Sequence, residues 1–423
     1  MMNGVLKIAC IMIITFTGIM SGLSANEDKT VKIGLNYPET GPYSVQGLDQ
    51  LRCAQMATEE INAAGGIMGH RIELIIRDSK SQKDLSTRNA REMIDKEGVN
   101  MIFGGSSSGV AIAAGEVCNE NKILFFGTLT YSTATTGVDG KKYVFRSCYN
   151  SWPGAKVLAD HMRKNFAGKK FFYITADYTW GHTTEASFRK FTDTADTSEH
   201  KSVLTPFPDA SPANFAKAIK IAKLLKPDVL VLVLFGKDMA TALQEATAQG
   251  LKDQMQIVVP NLTLGMAESA GAENMEGVLG ALDWCWKVPE RVGSETGKRF
   301  VEKFAKTYNR YPSCSGAAAY TILYQYKDAV ERAACFDSDA VRKALENHRY
   351  TLLKDEQYWR EFDHQSVQTV YAVRCKPASE VKKDPFGLDF FEIIETMPGD
   401  IAFRTREEWN EVRISAGKPT YLE

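Results

Sequence analysis

Blocks of apolar residues alternate with polar turns along this chain, and the period of the blocks switches regularly between two and about three and a half. Val31–Leu35 reads as a buried strand. In Leu48–Ala64 the apolar or small residues Leu51, Ala54, Thr58 and Ile61 share one face of a helix, which Gly65-Gly66 stops. Arg71–Arg77 alternates as a strand through Ile72, Leu74 and Ile76, and a polar turn leads to a helix over Asp84–Lys96. Strand Met101–Phe103, loop Gly104–Gly109, helix Val110–Asn121 and strand Ile123–Phe126 complete a first series. Strand–helix alternation of this kind predicts a parallel sheet with helices on both faces.

A second series of similar length follows the segment Tyr143–Arg146. It predicts helix Pro153–Phe166, strand Lys170–Thr175, helix Thr183–Phe191, strand Ser202–Pro206, helix Asn214–Leu225, the unbroken apolar strand Val229–Phe235, helix Met239–Gln249 and strand Gln256–Pro260. Helices at Ser294–Tyr308, Gly316–Ala334 and Ser338–Asn347 are expected to return over the first sheet, and Thr369–Cys375 reads as a late strand. The expected fold class is α/β, with two doubly wound parallel-sheet lobes joined by several crossings. The expected partition is 26–148 plus about 281–350 for one lobe and 149–280 plus about 351–423 for the other. No low-complexity tether separates the lobes, which fits several crossings better than one flexible linker.

The chain's length, 423 residues, suits two cores better than one. A formal net charge of −1 provides no basic field for nucleic acid or anionic membranes. Lys7, the apolar run Ile8–Met20 and the small residues Ser21–Ala25 read as a secretory signal cut near Ala25, too short to span a bilayer comfortably. An exported, periplasmic location is therefore expected. Of eight cysteines, Cys10 leaves with that segment, and the remaining seven include no CxxC. Cys314 and Cys335 flank a predicted helix that would hold them about 30 Å apart, so a bridge between them is not expected.

Ligands of doubly wound sheets sit beyond the carboxyl ends of the strands, which directs attention to the loops 36–47, 104–109, 127–132, 150–154, 177–182, 235–238 and 260–264. The loop Gly104-Gly105-Ser106-Ser107-Ser108-Gly109 leaves a strand and opens a helix, so its hydroxyls and free amides suit an anion or a polar group. An N-cap would also use one of these serines, and the loop is neither a Walker A motif nor GxGxxG. HExxH and GxSxG are absent, and no nucleophile–base or metal-ligand spacing stands out, which argues against an enzyme, a metal site or a cofactor. Tyr37, Tyr43, Tyr131, Trp152, Tyr178 and Trp180 gather in the predicted loops as possible pocket walls.

Val31-Lys32-Ile33-Gly34-Leu35, Thr40-Gly41-Pro42 and Glu60-Ile61-Asn62-Ala63-Ala64-Gly65-Gly66-Ile67 with Gly69, continued by Gly104–Gly109, Asp177-Tyr178-Thr179-Trp180-Gly181 and Asp363-His364-Gln365, resemble type I periplasmic binding proteins of the branched-chain amino-acid and amide class. The resemblance covers nearly the whole chain after the signal. It implies a monomeric protein that clamps one small molecule between its lobes and delivers it to the permease and ATPase of an ABC transporter. A sensor docking to a membrane receptor is the alternative use of the same clamp. The resemblance places the ligand's carboxylate or its equivalent at Ser108, with Ser107 beside it and Leu129, Thr130 and Tyr131 assisting. It adds Gln46 from the first lobe, and Trp180 and Phe235 as aromatic walls from the second. Asn150 and Asn261 stand where Asp and Glu are common in amino-acid binders. A buried ammonium without a carboxylate partner is costly, so the expected ligand lacks an α-ammonium group: an amide, a urea-like or neutral polar solute, or an aromatic or aliphatic acid. The alternative is that another acid, Asp177 or Asp238, restores the ammonium site.

Overall fold

The computed structural model describes Met1 and residues 29–423, so the expected signal segment and its cut near Ala25 lie outside the described residues. The first sheet holds β1 (Thr30–Tyr37), β2 (Arg71–Asp78), β3 (Met101–Gly104), β4 (Leu124–Gly127) and β5 (Val144–Arg146), in the order β2-β1-β3-β4-β5 and parallel throughout. Its helices are α1 (Ser44–Ala63), α2 (Lys83–Glu92) and α3 (Ser108–Glu120). The expected helix to Lys96 instead widens into a π turn over Met93–Glu97, which buries Met93 beneath Gly34, where a Cβ would lie 2.7 Å from the Met93 sulfur.

The second sheet uses β6 (Phe171–Ala176), β7 (Ser202–Thr205), β8 (Val229–Val233), β9 (Gln256–Val259) and β10 (Leu279–Leu282), with α4 (Ser151–Phe166), α5 (Thr179–Thr192), α6 (Pro212–Leu225) and α7 (Gly236–Ala248) between them. The short helices α8 (Leu264–Ala270) and α9 (Ala272–Met275) join β9 to β10. The parallel part runs β7-β6-β8-β9-β10, the first sheet's order repeated. All five residues of β8 are buried, as an apolar strand with both faces covered requires.

After α10 (Val288–Val292), α11 (Glu295–Tyr308), α12 (Cys314–Ala333) and α13 (Ser338–Leu345), the chain forms a small sheet from β11 (Arg349–Tyr350), β12 (Gln357–Trp359) and β13 (Ser366–Val367). It then extends the second sheet with antiparallel β14 (Val370–Cys375), beside β10, and, past α14 (Ala378–Val381), with β15 (Phe391–Met397) at the edge. Helix α12 packs along α1: its N-cap Ser313 accepts from the Gly316 amide at 3.3 Å, and Tyr320 and Tyr324 donate to Glu60, the latter at 2.8 Å. The chain ends with α15 (Gly399–Ala402) and α16 (Arg406–Ser415), and this end docks beside β5. Trp409 Nε1 donates to Thr136 O, and Arg413 Nη1 to Gly137 O, both at 2.8 Å. All seven cysteines in the described residues are free, and Cys314 and Cys335 stand at the two ends of α12.

Candidate functional site

A strand order of 2-1-3-4-5 reverses direction between its first and third strands, and the crevice of a doubly wound sheet opens there. In the first sheet those strands are β1 and β3, whose loops carry Gln46 and Ser106–Ser108. In the second they are β6 and β8, whose loops carry Trp180 and Phe235. The two switch points face each other. Gly236 takes φ +60°, and a Cβ there would lie 2.8 Å from the Tyr43 ring, so glycine lets α7 start against the first lobe. Gly104 takes φ +132°, and a Cβ there would meet Asn36 O at 2.2 Å, so the serine loop leaves its sheet hard against β1.

Five rings form the body of the site. Phe235 lies 5.0 Å from Tyr43, 5.7 Å from Tyr131 and 5.8 Å from Trp180 between centroids, and Tyr131 lies 5.5 Å from Tyr149. Tyr43 and Tyr131 come from the first lobe, Trp180 and Phe235 from the second, and Tyr149 from the crossing between them. The Tyr43 and Tyr178 hydroxyls meet at 3.2 Å across the mouth. Burial pushes the phenols of Tyr43, Tyr131 and Tyr149 well above their usual value, which keeps them neutral.

Of the nineteen buried side-chain polar atoms without a partner among the described residues, five belong to the switch-point loops and the strand end beside the rings: Gln46 Oε1, Ser106 Oγ, Ser108 Oγ, Trp180 Nε1 and Asn261 Oδ1. A buried donor or acceptor left unpaired costs about 1–3 kcal/mol, and native interiors hold few of them. Their gathering at one place marks where a bound molecule would complete the structure.

The other expected site residues are placed differently. Ser107 is the N-cap residue of α3 and makes no side-chain cap bond. It lines an outer hollow of about 440 Å³ with Tyr178, Thr179, Phe207 and Pro208. Leu129 is wholly buried. Thr130 turns its hydroxyl to that of Thr135 at 3.0 Å. Tyr131 reaches Cys314 Sγ at 3.7 Å, and its carbonyl accepts from both the amide and the hydroxyl of Ser151 at 2.8 Å. Asn150 caps α4 by accepting from the Trp152 amide at 2.9 Å and donates to Gln365 at 3.2 Å. Asn261 donates to the Tyr149 hydroxyl at 2.8 Å.

Ser106, Tyr43 and Tyr149 were not among the expected site residues. Ser106 shares the serine loop, and Tyr43 belonged to the loop aromatics. Tyr149 lies on a crossing whose placement between the lobes depends on packing distant in sequence.

Behind the rings lies the hinge. Buried Arg146 donates to Gln365 Oε1 at 2.7 Å, to Thr136 Oγ1 at 2.5 Å and to Ser132 O. Gln365 Nε2 donates to Cys148 O at 2.9 Å, and Gln368 Nε2 to Ser147 O at 2.8 Å. Buried Lys354 donates to Asp283 O at 2.7 Å and to Thr369 O at 2.6 Å. These bonds tie together the segments 146–151, 283–285 and 354–369, which pass between the lobes. On the rim, Arg310 pairs with Glu268 of α8 at 2.8 Å.

A family model described as periplasmic binding protein matches residues 30–382. Among curated proteins, the chain is 30% identical over 163 residues to Leu/Ile/Val-binding protein homolog 3 of Brucella melitensis, covering 38% of this chain and 43% of the relative. It is 25% identical over 328 residues to Leu/Ile/Val-binding protein homolog 7 of Brucella abortus, covering 74% and 80%. Among solved structures, a periplasmic binding protein from Burkholderia mallei superposes with TM-score 0.80 at 24% identity, covering 90% of this chain and 98% of that one, a likeness of fold.

Proposed function

The chain belongs to the periplasmic binding protein family, and from that premise we propose that it is an exported, monomeric solute-binding protein that clamps one small polar, carboxylate or amide ligand and presents it to the permease and ATPase of an ABC-type uptake transporter. One observation carries this reading: five buried polar atoms without partners meet a ring-lined cleft where the switch points of two sheets face each other. Ser108 is the proposed anchor, at the start of α3, where free helix amides favour an oxygen ligand. Trp180 and Phe235 are the proposed walls, and Gln46 and Asn261 the flanking polar contacts. The serines, carboxamides and rings bind and orient; the proposal assigns them no chemical step. It takes residues to 148 and about 281–350 as the first lobe and 149–280 with about 351–423 as the second, the last helix docking back on the first.

Thermal-shift screening against small solutes tests this reading, because a ligand that binds only the folded state raises the melting temperature. Saturable stabilisation by a carboxylate, amide or neutral polar solute is expected. Turnover of a bound solute, or no stabilisation by any small solute, would contradict it.

A further inference from the structure

The unpaired atoms of the cleft also specify the ligand's own donors and acceptors. The Tyr149 hydroxyl has one proton, and it goes to Ala281 O at 2.7 Å. The bond between Tyr149 and Asn261, at 2.8 Å, must therefore run from the amide Nδ2 to the phenol oxygen. That fixes the amide's orientation and leaves Oδ1, on a side chain almost fully buried, as an acceptor with no donor. Trp180 Nε1 is a donor only and lacks an acceptor, and the Ser106 and Ser108 hydroxyls lack partners of either kind.

None of the nearby carboxylates bonds to Asn261. Asp238, half-buried in the first turn of α7 and without a hydrogen-bond partner, stands by the Tyr43 and Tyr178 phenols, and Asp283 Oδ1 is unpaired in a void it shares with Lys354. Asp177 is exposed and meets His182 at 2.9 Å. Asp283 is buried beyond Tyr149, whose backbone amide it binds at 2.9 Å. The Lys354 ammonium sits on the Asp283 carbonyl at 2.7 Å. The side chain of Asp283 lines a separate void of about 20 Å³ with Lys354, Gln357 and Gln368, room for one water. A ligand ammonium at Asn261 would be buried against a neutral amide, a poor exchange for its hydration.

We propose that the ligand joins acceptor atoms for Ser108 and Trp180, of the carboxylate or carbonyl kind, to a neutral hydroxyl or amide N–H that Asn261 Oδ1 accepts. This rests on the solute-binding reading and narrows it. The orientation of Asn261, set by Tyr149, then decides between ligands of equal shape.

The test is calorimetry of the whole exported protein with matched probes: benzoate against 4-hydroxybenzoate and 4-carbamoylbenzoate, and isovalerate against 2-hydroxyisovalerate and leucine. In at least one series a donor-bearing probe is expected to bind about tenfold or more tighter than its donor-free partner. Asn261→Leu should erase that advantage, bringing the paired probes of the series to within about threefold of each other. Asn261→Asp, which keeps the side chain's size, should move the preference toward leucine and serves if the leucine variant misfolds. Equal affinity within every series, a donor advantage that survives Asn261→Leu, or leucine as the tightest wild-type ligand would overturn the inference and leave the solute-binding reading standing. Binding of no probe, by protein that also responds to no solute in the thermal screen, would overturn both.

Discussion

Hinge and cleft lie a few residues apart, are similarly buried, and treat their polar atoms in opposite ways. At the hinge, Arg146, Gln365, Gln368 and Lys354 donate to partners on another segment, Lys354 to Asp283 O, and each bond ties one crossing to the next. In the cleft, Ser106, Ser108, Trp180 and Asn261 are as deeply buried and leave an atom unpaired. The hinge donors are paired within the protein and hold structure, although Asp283 Oδ1, Asp355 Oδ1 and His364 Nδ1 in the same segments lack partners. The cleft is incomplete, so its polar groups hold a cost that a ligand would remove. A clamp needs both: a joint that keeps its identity while it bends, and faces that gain free energy only when something is between them.

The contrast makes opposite demands on two substitutions. Arg146→Met would remove the donor to Ser132 O and Thr136 Oγ1 and the shortest bond to Gln365 Oε1, which keeps Asn150, and a loss of about 3–5 kcal/mol of stability is expected in urea unfolding. A loss under about 1 kcal/mol would erase the distinction between the two regions. Ser108→Ala removes a hydroxyl that has no partner to lose. Ligand-free stability should hold or rise, because the cost of the unpaired hydroxyl goes with it, while affinity for a confirmed ligand falls by about 1–3 kcal/mol in calorimetry. Unchanged affinity would take Ser108 out of the site.

Much of the fold was legible because its signals are local. The unbroken Val229–Phe235 run, the Gly65-Gly66 stop and the three-and-four-residue spacing from Leu51 to Ile61 are each local to one element, and the strands and helices they predict are present. The late strand read at Thr369–Cys375 is β14, paired on both sides, whereas the antiparallel edge strand β15 was less legible, because an edge strand pairs on one side and carries a weaker apolar signature. At the cleft, the serine loop and the aromatic loops could be located because switch-point loops follow strand ends. The local roles of Thr130 and Asn150 were not legible. Thr130 pairs with Thr135 five residues on, and Asn150 caps its own helix. Both are choices between a near partner and a distant one that composition does not decide.

The hinge should also titrate where the cleft does not. Burial lowers the Lys354 ammonium to about 8 from its ordinary 10.5. Above about pH 8 the folded protein gives up this proton while the unfolded chain still holds it, so stability rises with pH from that point toward 10.5. The expected gain between pH 7 and 9 is roughly 1 kcal/mol by urea unfolding, and Lys354→Met should flatten it. A fall in stability over that range, with the variant unchanged, would remove Lys354 from the account.

The rim pair is expected to matter least. Arg310 holds Glu268 across the closed mouth at 2.8 Å, with Glu268 partly exposed. Glu268→Gln should weaken ligand binding by about 0.5 kcal/mol, mainly through faster release, and the wild-type advantage should shrink in high salt. An effect as large as that of Ser108→Ala would mean that closure depends on the rim more than on the cleft.

The clamp itself is tested most directly by small-angle scattering of the exported protein with and without a ligand whose binding calorimetry has confirmed. The lobes are joined by three paired crossings and meet through rings that a ligand would hold together, so saturation is expected to reduce the radius of gyration and to do so less in Ser108→Ala at equal ligand concentration. Superimposable wild-type profiles at verified saturation would contradict the account.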